Sequence, residues 1–406
     1  MGKGTIASDY FFQLTGTAAV LFLCLALPLK PVYKRLLFVA GGCHLLYLIA
    51  PRLLLFYALF WTVVLALQWL VSDQSRGRFS AQTIWLSVLL ILTPMVYWKL
   101  DYERANVLFN LLGNGFAGWL SNGLQELDST AAIIIPIGLS FATFRAIDLL
   151  VKTWLGKFDR LTPDRVLFYG FFAPVQVIGP VIEYEEVSRQ GEQLSLPDPK
   201  LVVEGMIRIA LGYFKVVFVA VLFAPAASIF QSFTAEAIWI VWLYLFFYTW
   251  YFYLNFSAYS DMAIGFARLL GFELKENFNF PYFQKNIADF WNNWHMSLSR
   301  FAQRNAYVPL GGYRIERRNL ATLATMMVIA LWHDLTIGMV IFGFYHGFAL
   351  IGHRVYSERF KARSTRAPVP AVVRIAGTYV YVSISLPLLV LPLRDAGRFY
   401  LSLVGL

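Results

Sequence analysis

Apolar stretches near twenty residues long recur along the chain, separated by short runs rich in Lys, Arg, Gly and Pro. Such lengths match a hydrocarbon core roughly 30 Å thick and predict membrane helices. The candidate spans are 11–29, 36–50, 53–71, 82–98, 130–151, 202–224, 236–256, 320–334, 336–353 and 371–393. The period-two alternation of a membrane barrel is missing, so the expected fold is an all-α polytopic bundle of about ten spans. The first apolar run follows Lys3 with no small-residue cleavage site, and reads as a retained span.

Two stretches break the pattern. Residues 166–182 contain Pro174, Gly179 and Pro180, and 256–312 is apolar but studded with Asn, Asp, His and Arg. Irregular polar backbone survives at membrane depth only when it is buried in protein or lines a cavity. These stretches are therefore expected to be re-entrant or interfacial, and a site is to be sought there. Residues 101–123 read as an interfacial helix or loop. The acidic run carrying Glu183, Glu185, Glu186, Glu192, Asp198 and Glu204 reads as a solvated loop. With no internal repeat and no linker, residues 1–406 read as one membrane-embedded domain.

Composition sharpens this reading. The 406 residues are 58% hydrophobic and 14% charged, with a mean hydropathy of +0.59, whereas a soluble domain carries roughly 25% charged residues. The net charge of +10 is concentrated in runs at 30–35, 152–165 and 354–374 beside apolar segments. Such flanks favour cytoplasmic loops and anionic lipid headgroups, and no nucleic-acid partner is expected because no separate basic face exists. Cys24 and Cys43 sit in apolar sequence without paired spacing, which suggests neither disulfide nor zinc.

Candidate chemistry centres on histidine, which titrates near neutrality and can take a proton from a nucleophile. Four of the five histidines, His295, His333, His346 and His353, fall in the last third of the chain, apart from His44. The pair His333 and Asp334 interrupts two apolar runs just after Trp332, an expensive placement unless it serves a function. His295 lies in DFWNNWHMSLSRF, where Trp291, Trp294, Leu298 and Phe301 would share one helix face with His295 beside it. Packing explains such a stripe as readily as a site does. His346 and His353 read as structural, the one between small residues and the other at a membrane edge. No phosphate loop, zinc helix, nucleophile elbow or dinucleotide fingerprint occurs, and no metal site is supported.

The segments FSAYSDMAIGFARLLGFELKENFNFPY at 256–282, DFWNNWHMSLSRFAQRNAYVPLGGYR at 289–314 and ALWHDLTIGMVIFGFYHG at 330–347 resemble the signature of the membrane-bound O-acyltransferase family. IIPIGLSFATFRAIDLL, FFAPVQVIGPVIEYEEV and the final PLRDAGRFY fit as well, so the resemblance runs from about residue 130 onward. Within the family, YVPLGGYR and SDMAIGFARLLGF are closer to members acting in alginate O-acetylation than to those that D-alanylate teichoic acid.

The resemblance implies helices around a central tunnel in a bacterial inner membrane. It implies transfer of an acyl group, acetyl first, from a cytoplasmic thioester to an exported polysaccharide or a periplasmic partner protein. The donor would be acetyl-CoA or an acyl carrier protein, with no permanently bound cofactor. His333 maps to the family's catalytic histidine and is expected to act as general base. His295 is expected to position the donor or stabilise the oxyanion, with Trp294, Asn292, Ser299, Trp332, Arg304 and Asn305 around the substrates. Lys285, Arg300 and Arg304 would attract an acidic donor. Asp334 stands where the family has a small residue, Asn305 where it has an aspartate, and the sequence stops soon after Arg398. The rivals are D-alanyl or other acyl transfer, a proton-coupled transporter or flippase, and a scaffold that only docks a periplasmic transferase.

Overall fold

In a computed structural model the structure describes residues 3–74, 80–99, 138–223, 238–359 and 369–405. The described residues form fifteen α-helices and no strand. The expectation for 101–123 lies outside them. The chain divides into two compact units, Met1–Gly205 with Phe266–Glu273, and Met206–Gly265 with Leu274–Leu406.

In the first unit, α1 (Lys3–Leu25), α2 (Pro31–Ile49), α3 (Pro51–Gln74) and α4 (Ser80–Lys99) fall on the first four predicted spans. α5 (Leu139–Trp154) covers most of the fifth, α6 (Pro163–Gly170) and α7 (Tyr184–Gly191) follow, and α8 (Pro199–Leu222) begins here and belongs to the second unit from Met206 on. Pro31, Pro51, Pro163 and Pro199 each open a helix, where proline's fixed φ fits and its missing N–H is not needed. α5 is buried on nearly every side. Its Arg145 donates to the carbonyls of Tyr169 (2.9 Å) and Gly170 (3.2 Å), capping the C-terminal end of α6 with a positive charge. The break expected at 166–182 is present: α6 stops at Gly170, a 3₁₀ turn spans Ala173–Val175, and Gly179 has φ 143°.

The acidic run departs from the solvated loop expected of it. Lys152 is buried at the end of α5, and its ammonium lies 2.7 Å from Glu183 and from Glu185 and 2.9 Å from Asp148. Glu192 pairs with Arg35 and Arg165, and Glu204 faces Arg268. A buried cation needs opposite charge nearby, and the run supplies it. Asp164 meets Arg35 at 2.6 Å. Burial alone would raise the Asp164 carboxyl, but hydrogen bonds from Thr162 and Arg35, with the charge of Arg35, hold it below its ordinary value.

The second unit contains most of α9 (Ile238–Leu269), then α10 (Ile287–Asn293), α11 (Met296–Ala302), α12 (Arg318–His333), α13 (Ile337–Arg359), α14 (Ala371–Val390) and α15 (Leu393–Leu403). The span predicted at 236–256 is longer than expected: α9 continues through Ser257, Ser260 and Asp261 without breaking. Asp261 lies against Arg208 and Lys215 of α8, so the charge is carried inside the helix rather than by interrupting it. Among the described residues, three helices are long and apolar enough to cross a membrane, Pro31–Ile49, Pro51–Asp73 and Ala371–Val390. α1 and α4 carry shorter apolar runs.

Candidate active site

The polar stretch after α9 folds as short pieces. α10 and α11 have seven residues each, roughly 10 Å at 1.5 Å per residue, far too short to span a bilayer. Asn286 caps α10 by accepting from the Asp289 N–H at 2.9 Å. Between the helices Trp294 is extended and His295 is left-handed, at φ 41° and ψ 53°. The single helix expected through Trp291, Trp294, Leu298 and Phe301 therefore does not form. A left-handed non-glycine residue is held against a local cost of order 1–3 kcal/mol, and such residues cluster at functional sites.

The turn delivers Trp294 and His295 to different neighbours. Trp294 stacks on Phe252, Tyr282 and Phe290 at centroid distances of 5.7, 5.7 and 5.6 Å and meets Phe278 edge-on at 5.1 Å. His295 is buried against the edge of Phe256 at 4.7 Å and lies 5.7 Å from Trp332. Its Nδ1 is 3.1 Å from Asn277 Oδ1, and its Nε2 is buried with no hydrogen-bond partner among the described residues. Burial first, and then the nearby His333 and Arg300, press its pKa well below the ordinary histidine value, so the ring is neutral.

Trp332 links His295 to His333, whose ring is 4.5 Å from the indole at the end of α12. His333 is half-buried and lines a small aromatic cavity with Trp291, Trp294, Phe290, His346 and Ser385. His346, read from the sequence as structural, is brought to the same cavity. Trp291 Nε1 donates to its Nδ1 at 3.3 Å, and its Nε2 lies 3.0 Å from the Ser385 hydroxyl, which itself donates to the Val382 carbonyl at 2.7 Å. Both ring nitrogens of His346 are thus engaged, which suits it to hold Trp291 rather than to move a proton.

A larger cavity of about 620 Å³ also borders Trp291 and carries Asn292, Ser299, Arg300, His353 and Arg354 on its wall. Ser299 donates to the Trp291 carbonyl at 3.2 Å. A third cavity, about 420 Å³, is lined by Arg208, Lys215, Asp261, Glu276 and Asn277, and Met296 borders both it and the 620 Å³ cavity. Of the expected site residues, Trp294 and His333 thus line the small aromatic cavity and Asn292 and Ser299 the 620 Å³ one, while His295 and Trp332 line none of the three and pack behind His333. Arg304 and Asn305 sit on a π-helical turn, Gln303–Tyr307, and line none of these three cavities; Asn305 donates to the Phe301 carbonyl at 3.0 Å. Of the basic residues expected to draw an acidic donor, Arg300 reaches a cavity and Lys285 does not. Sequence reasoning missed Asn277, Ser385 and Trp291. Only the tryptophan gave a signal, as part of the aromatic stripe, because an isolated Asn or Ser looks the same in sequence wherever it folds.

A family model for the membrane-bound O-acyltransferase family matches residues 162–390. The chain is 32% identical over 278 residues to "Probable alginate O-acetylase AlgI" of Pseudomonas aeruginosa, covering 67% of this chain and 51% of that protein. It is 31% identical over 328 residues to the peptidoglycan O-acetyltransferase of Helicobacter pylori, covering 70% and 61%. It is 24% identical over 239 residues to the teichoic acid D-alanyltransferase of Bacillus subtilis, covering 56% and 60%. The chain spans about half the length of the alginate-type relatives it matches.

Proposed function

The chain belongs to the membrane-bound O-acyltransferase family, and from that premise we propose that it moves an acyl group, acetyl first, from a thioester to a hydroxyl, with His333 as general base. The observation that carries this reading is the contact chain from buried His295 through Trp332 to His333, ending on a cavity wall. The acceptor oxygen attacks the thioester carbonyl while His333 takes the hydroxyl proton. The tetrahedral intermediate then collapses, the C–S bond breaks, and the leaving thiolate receives the proton back, giving an ester and a free thiol. Trp294 and Trp332 exclude water from the reacting carbonyl, and Asn292, Ser299 and Arg300 hold the donor in the 620 Å³ cavity.

The donor we infer is acetyl-CoA or an acyl carrier protein entering from the cytoplasm, and the acceptor a cell-envelope polymer or a periplasmic partner protein. About ten spans in an inner membrane would frame a tunnel, and the shared walls at Trp291 and Met296 support one. Relatives named for alginate, peptidoglycan and teichoic acid support an envelope acceptor. The test is the ester content of envelope polymers in cells whose own gene is replaced by wild type or His333→Ala. Loss of ester with His333→Ala supports the reading. Undiminished ester with the variant rejects it and favours the docking scaffold, and a proton flux without thioester consumption favours the transporter.

A further inference from the structure

Asn277 is fully buried in the irregular segment after α9, and its side chain is held on four sides. Its Oδ1 faces the Ser297 backbone N–H at 3.3 Å, the Ser297 hydroxyl at 2.8 Å and His295 Nδ1 at 3.1 Å, while its Nδ2 donates to the Ser260 hydroxyl at 3.1 Å. A backbone N–H can only donate, so the atom it faces is the carbonyl oxygen of the amide and the Asn orientation follows. The Asn277 backbone carbonyl also accepts from the Met296 N–H at 2.9 Å, which pins both sides of the His295 turn to this one residue.

An amide oxygen only accepts, so the His295 nitrogen beside it carries the proton. In a neutral imidazole the other nitrogen is then a bare lone pair. That atom, Nε2, is the one buried without a hydrogen-bond partner among the described residues. We propose that Asn277 is a positioning residue that fixes His295 in the Nδ1–H form, so that Nε2 accepts a hydrogen bond from an acceptor hydroxyl beside the one whose proton His333 takes. Of the two roles the sequence allowed, positioning the acyl donor or stabilising the oxyanion, donating to an oxyanion is closed to the neutral ring, and the lone pair orients the acceptor instead of the donor. The inference rests on the acyl-transfer reading of this site. The depressed pKa of His295 agrees with it, because a ring kept neutral keeps its lone pair.

Asparagine suits this position in a way aspartate does not. A carboxylate would accept the same three hydrogen bonds, but its charge would favour the imidazolium and quench the lone pair near neutral pH. The experiment uses the full chain in lipid discs with ¹⁵N-labelled histidine. Nitrogen spectra report the tautomer, with His295→Gln assigning the signal, and kcat for acetyl thioester is followed against pH. Wild type shows His295 protonated on Nδ1. Asn277→Leu frees the tautomer and lowers kcat by about 10²-fold, the scale of a misplaced proton-handling group, while KM for the thioester changes little. Asn277→Asp retains the Nδ1 proton and moves the acid limb of kcat up by about 1–3 pH units, with turnover restored at alkaline pH.

An Nε2–H signature in wild type overturns the proposal, as does equal loss in both Asn277 variants with no change in the pH profile. A wild-type Nδ1–H signature together with wild-type turnover in His295→Gln also overturns it, because the lone pair is then not used, whereas wild type that consumes no acetyl thioester rejects the acyl-transfer reading of this site instead.

Discussion

Trp291 can only donate its indole proton, so His346 must receive it, and the Ser385 hydroxyl takes up the opposite nitrogen. His295 has one nitrogen bound and the other buried and unmatched. Two buried histidines in one unit therefore have opposite chemical standing, both ring nitrogens of His346 having partners and Nε2 of His295 having none among the described residues. His346→Gln should keep transfer within about tenfold, measured as kcat, since an amide can replace its hydrogen bonds. His333→Ala should cost about 10²–10⁴-fold. Asp164 offers a stability test of another kind. Its pKa is lowered on folding, so its contribution is present above the unfolded carboxylate range and is lost as pH falls through the folded value. Asp164→Asn should lower stability by about 1–2 kcal/mol at neutral pH, because Arg35 keeps Glu192 and the Gly191 carbonyl as partners, and should flatten the loss seen on acidification. Thermal unfolding in detergent at pH 7 and pH 4 checks both parts. The identity of His333 as a candidate was legible because Trp-His-Asp breaks an apolar run. Its relation to Asn277 and Ser385 was not legible, because nothing in sequence marks which polar residue a buried ring will meet.

At the scale of elements, helix positions followed from hydrophobic length: among the described residues the ten longest helices overlap the ten predicted stretches, of which three are long and apolar enough to cross a membrane. Two errors have physical causes. α9 runs past residue 256 because Asp261 finds Arg208 and Lys215 on a neighbouring helix, which hydropathy along one segment does not register. The aromatic stripe is cut because His295 turns left-handed, a conformation imposed by Asn277 and Ser297 rather than by local propensity. Close helix contact in the first unit gives a further prediction. A methyl group on Gly42 of α2 would stand 2.1 Å from the Phe171 carbonyl oxygen, and backbone at the break after α6 has little room to retreat. Gly42→Ala should destabilise by about 1–3 kcal/mol, read as a lowered Tm, while Gly16→Ala, which meets nothing within 4 Å, should leave Tm unchanged or higher.

For the whole molecule, membrane character was plain from composition and the family from motifs, but cavities that share Trp291 and Met296 as lining residues arise only once distant segments fold together. If they form a tunnel, Met296→Cys in a background lacking Cys24 and Cys43 should react with water-soluble thiol reagents applied from either side of a sealed vesicle. Labelling from one side alone would argue for a blind pocket. The central claim is that an imidazole at position 333 drives acyl transfer, and its most direct measurement is thiol release from an acetyl thioester by the purified protein with a hydroxyl acceptor present. Wild type should release thiol in step with ester formed and His333→Ala should fall at least about 10²-fold below it; equal release by the two proteins would contradict the account.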